Sequence, residues 1–334
     1  MIKNSAPAGN AIRQALLIAP RYFGYEQDIA DELHRQGAQV DLLPDRPFES
    51  PFLKAATRFR PELTRSAADR FFAKRLEQLA RREYQTILVV QGESISACTL
   101  SALRIAYPRA RMVFYTWDSL ENKPFARANL RHYDQCLSFD PVDARRHGMR
   151  ARPLFFSRGF ERPMPGHFEY DISFVGTIHS DRYRVVRRVA DTLLPAARAH
   201  WYLYMQAPWM YSARKLLTRT VAGSRRDDFR FQSLSKSAVQ QIFFDSKAVL
   251  DVEHPKQTGL TMRTIETVGS GTKLVTTNAA VREYDFYNAN NICVVDRTDP
   301  RIDPSFLETP YSAVPTHIYQ RYRLSQWVKD TCSS

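Results

Sequence analysis

The sequence has little glycine and little cysteine, 12 and 4 respectively in 334 residues. The cysteines, Cys98, Cys136, Cys293 and Cys332, are scattered. They form no CxxC pair and no zinc-type spacing, which excludes a disulfide framework and a zinc ribbon. The histidines include no HExxH or other close ligand pair, so no metal site is expected. A GxGxxG fingerprint is missing, which argues against a nicotinamide dehydrogenase. No segment approaches the ~18–20 consecutive apolar residues of a membrane-spanning helix. The opening MIKNSAPAGNAIRQ lacks the apolar core of a signal peptide, so a cytoplasmic protein is expected. Nor is there an internal short-period repeat of a solenoid kind.

What is present is enough apolar material for sizeable cores. The chain is 44% hydrophobic and 25% charged, and its length suits about two domains. Lysine plus arginine number 48 against 35 aspartates and glutamates, a net charge of +13. Such a balance fits an anionic partner, whether nucleic acid, acidic lipid or a phosphorylated small molecule. It also fits charge spread over the surface of an ordinary two-domain enzyme.

Apolar runs alternate with amphipathic stretches. Strands are expected at 14–20, 39–43, 86–91, 111–116, 135–139 and 152–156, with helices at 25–36, 62–82, 96–107 and 141–147. TILVV and MVFY are continuously apolar, as buried parallel strands should be. Residues 157–170, with two prolines and two glycines, read as a linker. Beyond it come strands at 171–175, 201–205, 248–252, 273–277 and 292–295, and helices at 182–194, 237–245 and 261–268. A turn is expected at 176–179, and an aromatic-rich helix over 315–329 closes the chain. Strands separated by helices imply βαβ units, hence two α/β halves: 1–156 and 171–314, with 315–334 as a C-terminal helix able to pack back on the first half.

In open α/β sheets, ligands bind beyond the carboxyl ends of the strands. The most informative such segment is 253–266, EHPKQTGLTMRTIE, where a loop carrying Lys256 leads into a helix starting near Thr261. A helix N-terminus suits phosphate, and Arg263 in the first turn adds a charged fork. Glu266, three residues on, can accept hydrogen bonds from ribose hydroxyls; alternatively Arg263 and Glu266 form an ordinary surface pair. His254, before a proline, reads as a packed loop residue. In DRTDP at 296–300 the two aspartates are expected to shape a turn. The stretch 201–231 is basic and aromatic. Its Trp209, Met210, Tyr211, Leu216 and Leu217, beside Arg214, Lys215 and Arg219, either pack between domains or meet an anionic membrane surface.

GLTMRTIE at 259–266 followed by GSGTKLVTTN at 269–278 resembles the donor-site segment of GT-B glycosyltransferases. IAPRYFGYEQDIADEL at 18–33, VVQGES at 89–94, YTWDS at 115–119, DISFVGTIHSDRY at 171–183 and REYDFYNANNICVVDR at 282–297 widen the resemblance. Together they resemble the glycosyltransferase-like proteins of lipopolysaccharide and capsule synthesis related to spore-maturation (CgeB-type) glycosyltransferases, over about residues 12 to 300. The order and spacing of these segments carry the likeness, not one motif. The resemblance implies two Rossmann-like domains facing across a cleft, with the nucleotide-sugar held mainly by the second. Glu266 would hold the ribose, Thr261 and Arg263 would approach the diphosphate, Gly176 and Thr177 would form a close-approach loop, and His179 and Arg182 would line the cleft. Retaining members often carry a second glutamate eight positions before the ribose carboxylate; here that position is Thr258, so the stereochemical course stays open. An inverting enzyme needs a base, for which Glu93 is the first choice and Asp118 the second; helix capping or acceptor binding without proton transfer are the alternatives. GT-B enzymes generally need no metal, so no cofactor is expected.

Sugar transfer from a nucleoside-diphosphate donor to a glycan or lipid-linked acceptor in surface polysaccharide assembly is the reading that follows. A nucleotide-sugar epimerase or hydrolase on the same architecture is the alternative, with peripheral contact to an anionic inner membrane left open. A basic nucleic-acid-binding protein is the remote alternative, and nucleic acid is not an expected partner, because no nucleic-acid fold motif is present.

Overall fold

A computed structural model describes residues 12–46, 61–161, 167–255 and 258–332. The chain divides into two compact units, Met1–Pro153 with Leu324–Ser334, and Leu154–Arg323.

The first unit runs β1 (Gln14–Ala19), α1 (Tyr25–Arg35), β2 (Gln39–Pro44), α2 (Pro61–Leu79), β3 (Thr86–Val90), α3 (Ala97–Ala106), β4 (Arg111–Thr116), α4 (Pro124–Ala128), β5 (Gln135–Ser138), α5 (Pro141–Arg146) and β6 (Arg150–Ala151). Its sheet has the order β2-β1-β3-β4-β5-β6, parallel throughout. Every residue of β3 is buried, as is all of β4 beyond Arg111. That explains why these strands read as unbroken apolar runs: helices cover both faces. Leu16, Ile18, Ile87, Val89, Met112 and Phe114 form the heart of one of these layers.

The second unit runs β7 (Tyr170–Thr177), α6 (Arg182–Thr192), β8 (Ala199–Tyr204), α7 (Pro208–Leu217), β9 (Phe229–Arg230), α8 (Lys236–Phe244), β10 (Ser246–Asp251), α9 (Met262–Ser270), β11 (Lys273–Thr276), β12 (Ile292–Val294), α10 (Pro304–Glu308) and α11 (Thr316–Tyr322). Its order, β12-β11-β10-β7-β8-β9, is that of a Rossmann sheet, with the direction of winding reversing between β7 and β10. The chain then returns to the first unit as α12 (Leu324–Cys332).

Three expectations need correction. The strand at 152–156 is not formed in the first sheet. Pairing stops at Ala151, with the Arg152 N–H giving a last bond to Ser138 O at 2.9 Å; Phe156 instead pairs with Arg323 in the second unit. The turn at 176–179 begins later, since Gly176 and Thr177 are the last residues of β7 and pair with Leu203 and Tyr204. The closing helix is two helices. Arg323 between them is extended (φ −68°, ψ 144°), drawn out by that pairing and by a two-point ion pair with Glu161 at 2.6 and 3.1 Å. Of the segment read as a linker, Phe160 is buried against Phe243 with ring centroids 5.4 Å apart, and 162–166 lie outside the described residues.

Helix α12 is held by Trp327, fully buried and edge-on to Tyr115 at 4.7 Å, and by an ion pair between Asp330 and Arg152 at 2.9 Å. Replacing Trp327 by alanine empties a closed site, so the expected loss is about 3–5 kcal/mol, measured as a lowered urea midpoint.

Candidate functional site

The carboxyl ends of β7 and β10 flank the point where the second sheet reverses, the usual place for a ligand. Asp251 ends β10 fully buried. A buried carboxylate needs donors, and three come from the start of α9. Thr261 Oγ1 donates at 2.6 Å, Thr264 Oγ1 at 2.8 Å and Arg263 Nη1 at 2.7 Å. Thr261 is also the N-cap, its hydroxyl accepting from the Thr264 N–H at 3.3 Å.

Arg263, pinned in this way, stands over the ring of Phe174 at 5.4 Å. Its other terminal nitrogen would lie 2.9 Å from a Cβ on residue 176, and Phe174 Cζ would lie equally close. Glycine at 176 is thus what lets the guanidinium lie against β7. Arg182 is buried and fully engaged with backbone. Its Nε and Nη2 donate to Val252 O at 2.8 and 2.5 Å, and Nη1 to Thr177 O at 2.8 Å. It ties the ends of β7 and β10 together rather than lining an open surface. Arg214, from α7, donates to Ile178 O at 2.8 Å. It has no carboxylate within ion-pair distance among the described residues.

These cations surround the half-buried His179, whose ring is 5.6 Å from that of His254. Burial, then the charges of Arg182, His254, Arg214 and Arg263, push the His179 imidazole down to about 3. It is neutral at physiological pH. A second network closes the flank. Arg297 grips Asp181 at two points, 2.8 and 2.9 Å, and reaches Glu253 Oε1 at 2.6 Å. Those bonds hold Asp181 down to about 2, while burial pushes Glu253 up.

The fold therefore gathers Gly176, Thr177, His179, Arg182, Thr261 and Arg263 at one end of one sheet. Glu266 follows one turn into α9 and is 4% exposed, an inward carboxylate rather than half of a surface pair. Lys256 lies outside the described residues. Arg214, Asp251 and Arg297 were missed as site residues. Asp251 had one visible signal, a charge closing the apolar run AVLDV. Asp296 does shape a turn, accepting from the N–H groups of Thr298 and Asp299.

In the first unit, Glu93 follows β3 and Asp118 follows β4. Both contact one cation: Lys123 Nζ bonds Glu93 Oε1 and lies 3.5 Å from Asp118 Oδ2. Arg46 adds a second cation on Glu93 at 3.2 Å. Neither carboxylate is a helix cap; Ser96 and Ser119 take those roles. Beneath Glu93 the fully buried Asp45 accepts from its backbone N–H at 3.3 Å. Burial raises Asp45 to about 7, against the smaller opposing effects of Arg46 and Lys123. Near the end of β1, Tyr22 and Phe23 are both half exposed and stand edge-on at 4.7 Å, with Phe23 held at φ +53°. Among the described residues no group of His, Cys, Asp and Glu is placed to hold a metal ion, and no helix is long and apolar enough to cross a membrane.

No protein-family model matches the chain, and no curated protein matches it in sequence. Solved structures do match it in fold. Sucrose-phosphate synthase from Thermosynechococcus elongatus superposes with a TM-score of 0.62 at 12% identity, covering 95% of this chain and 98% of that one. Alr3699/HepE of Anabaena, in complex with UDP-glucose, gives 0.61 at 13% identity over 95% and 98%. A glycosyltransferase from Rickettsia africae gives 0.58 at 9% identity over 95% and 96%. The two six-stranded parallel sheets with their helices are therefore the α/β fold of the GT-B glycosyltransferases.

Asp45 should leave a pH signature. Between its ordinary 3.8 and about 7 the native carboxyl keeps a proton that the unfolded chain has released, so its contribution to stability falls as pH rises through that window. Asp45→Asn retains an acceptor for the Glu93 N–H and removes the titration. Urea unfolding of the variant across this window should show a shallower decline than the wild type.

Proposed function

We propose that this protein is a glycosyltransferase that moves a sugar from a nucleoside-diphosphate donor to a glycan or lipid-linked acceptor. The observation that carries the reading is the cluster of Arg182, Arg214 and Arg263 around a neutral His179 at the reversal point of the second sheet. A diphosphate leaving group gains charge as the glycosidic bond breaks, and preorganised cations at a helix N-terminus stabilise it. Arg263 and Arg214 take the diphosphate, Gly176 and Thr177 leave room for it, and Arg182 holds the strand ends in place. Glu266 takes the ribose and Lys256 the outer phosphate. UDP-glucose bound to Alr3699/HepE, a protein of the same fold, supports a sugar nucleotide as the donor. A metal is not required in this scheme.

The first unit takes the acceptor. Tyr22 and Phe23 offer apolar ring surface for a sugar face, and Glu93 and Asp118 accept hydroxyl protons. Glu93, paired with Lys123 and Arg46, is placed to orient the acceptor hydroxyl. The resemblance to lipopolysaccharide and capsule enzymes supports a place in surface polysaccharide synthesis.

Arg214→Ala and Arg263→Lys should each weaken UDP binding by about tenfold or more, the loss of one charge-assisted hydrogen bond, read by titration calorimetry with the fold checked by circular dichroism. Unchanged affinity in both rejects the site. Turnover of a sugar nucleotide without any acceptor would favour hydrolysis or epimerisation instead. His179 offers an independent check. Bound diphosphate offsets the cations that depress the imidazole, so nuclear magnetic resonance should show its pKa rising from about 3 when UDP is added.

A further inference from the structure

Helix α7 carries apolar side chains both inward and outward. Tyr211 is buried and bonds Ser224 O at 3.0 Å, Met210 packs on the core, and Arg214 points to Ile178 O. Trp209, Leu216 and Leu217, by contrast, are 69%, 85% and 77% exposed. Trp209 and Leu216, seven residues apart, share one face of the helix, and Leu217 adjoins Leu216 as its last residue. The basic, aromatic stretch thus separates into two sets: Met210, Tyr211 and Arg214 serve the unit itself, while Trp209, Leu216 and Leu217 serve nothing within the described residues.

The segment that carries that face is cationic. Residues 201–231 hold six basic side chains, Arg214, Lys215, Arg219, Arg225, Arg226 and Arg230, against two acidic ones, Asp227 and Asp228. Arg214 is the one that turns inward; the other five are exposed. Asp228 is turned to Tyr183 Oη at 2.9 Å and to the Arg225 N–H at 2.9 Å, so part of the opposing charge is already committed. We infer that this face is a docking surface for an anionic lipid bilayer. Trp209, Leu216 and Leu217 enter the headgroup and acyl boundary, and the arginines and the lysine meet lipid phosphates. Charge complementarity favours this occupant over a second copy of the chain, since a two-fold contact would set one cationic rim against another. Three apolar side chains also fall well short of the ~1,000 Å² that a stable protein interface buries. The inference does not depend on sugar transfer.

The test is flotation of the full chain with vesicles, one set phosphatidylcholine alone and one set equal parts phosphatidylcholine and phosphatidylglycerol. Binding to the anionic set should exceed binding to the neutral set by about tenfold and fall as salt is raised. The tryptophan emission should shift to the blue on binding, and Trp209→Ser should remove that shift. Leu216→Ser with Leu217→Ser should weaken binding by about tenfold while leaving the UDP-induced thermal shift unchanged. Arg219→Glu with Arg226→Glu tests the charge independently, should the serine pair fail to fold, and should abolish the preference for anionic vesicles. Equal binding to both vesicle sets, or full binding by either double variant, overturns the proposal. Concentration-dependent dimerisation without lipid that is lost in the serine pair assigns the face to a second copy and likewise overturns it.

Discussion

A single buried carboxylate organises the second unit. Asp251 ends β10 fully buried, and Thr261, Thr264 and Arg263 all donate to it. Those same bonds set where α9 begins and which way the Arg263 fork faces. Removing any one donor would leave a buried acceptor short of a partner, at a cost of about 1–3 kcal/mol. The Arg263 position in turn requires glycine at 176 and rests on the ring of Phe174. One constraint thus connects a strand end, a helix start and the glycine of a neighbouring strand.

The two units handle charge at their strand ends differently. In the second, carboxylates are spent inside the scaffold, on Arg263 and Arg297, while Arg182 and Arg214 donate to main-chain carbonyls. Burial first, and then the charges of these arginines, keep His179 neutral. In the first, cations and carboxylates alternate, Arg46, Glu93, Lys123 and Asp118, over a buried Asp45 that holds its proton near neutrality. The first pattern suits an anion that arrives; the second suits neutral hydroxyl groups that must be oriented.

Sequence reading reached most of the elements. The strand at 111–116 is found with the expected ends, and β1, β3 and α9 differ from expectation by a residue or two at their ends. Apolar continuity is a local property, and buried parallel strands express it strongly. Failures came where a distant partner decided the outcome. Phe156 leaves the first sheet because it pairs with Arg323, and the closing helix breaks at that arginine for the same reason. No helix is expected from the sequence at 208–217, where α7 has apolar residues on both its core-facing and its exposed sides and so lacks a single stripe.

The order of apolar runs, the glycine at 176 and the segment from Thr261 to Glu266 are written in the chain itself, and they sufficed for two α/β halves with a helix starting near Thr261 in the second. Which charges meet was decided only by folding. Asp251 and Arg263 are twelve residues apart, Arg182 and Val252 seventy, and Arg297 and Asp181 more than a hundred. Electrostatic interaction depends on separation in space and on exclusion of water. Neither follows from separation along the sequence until the sheet is wound.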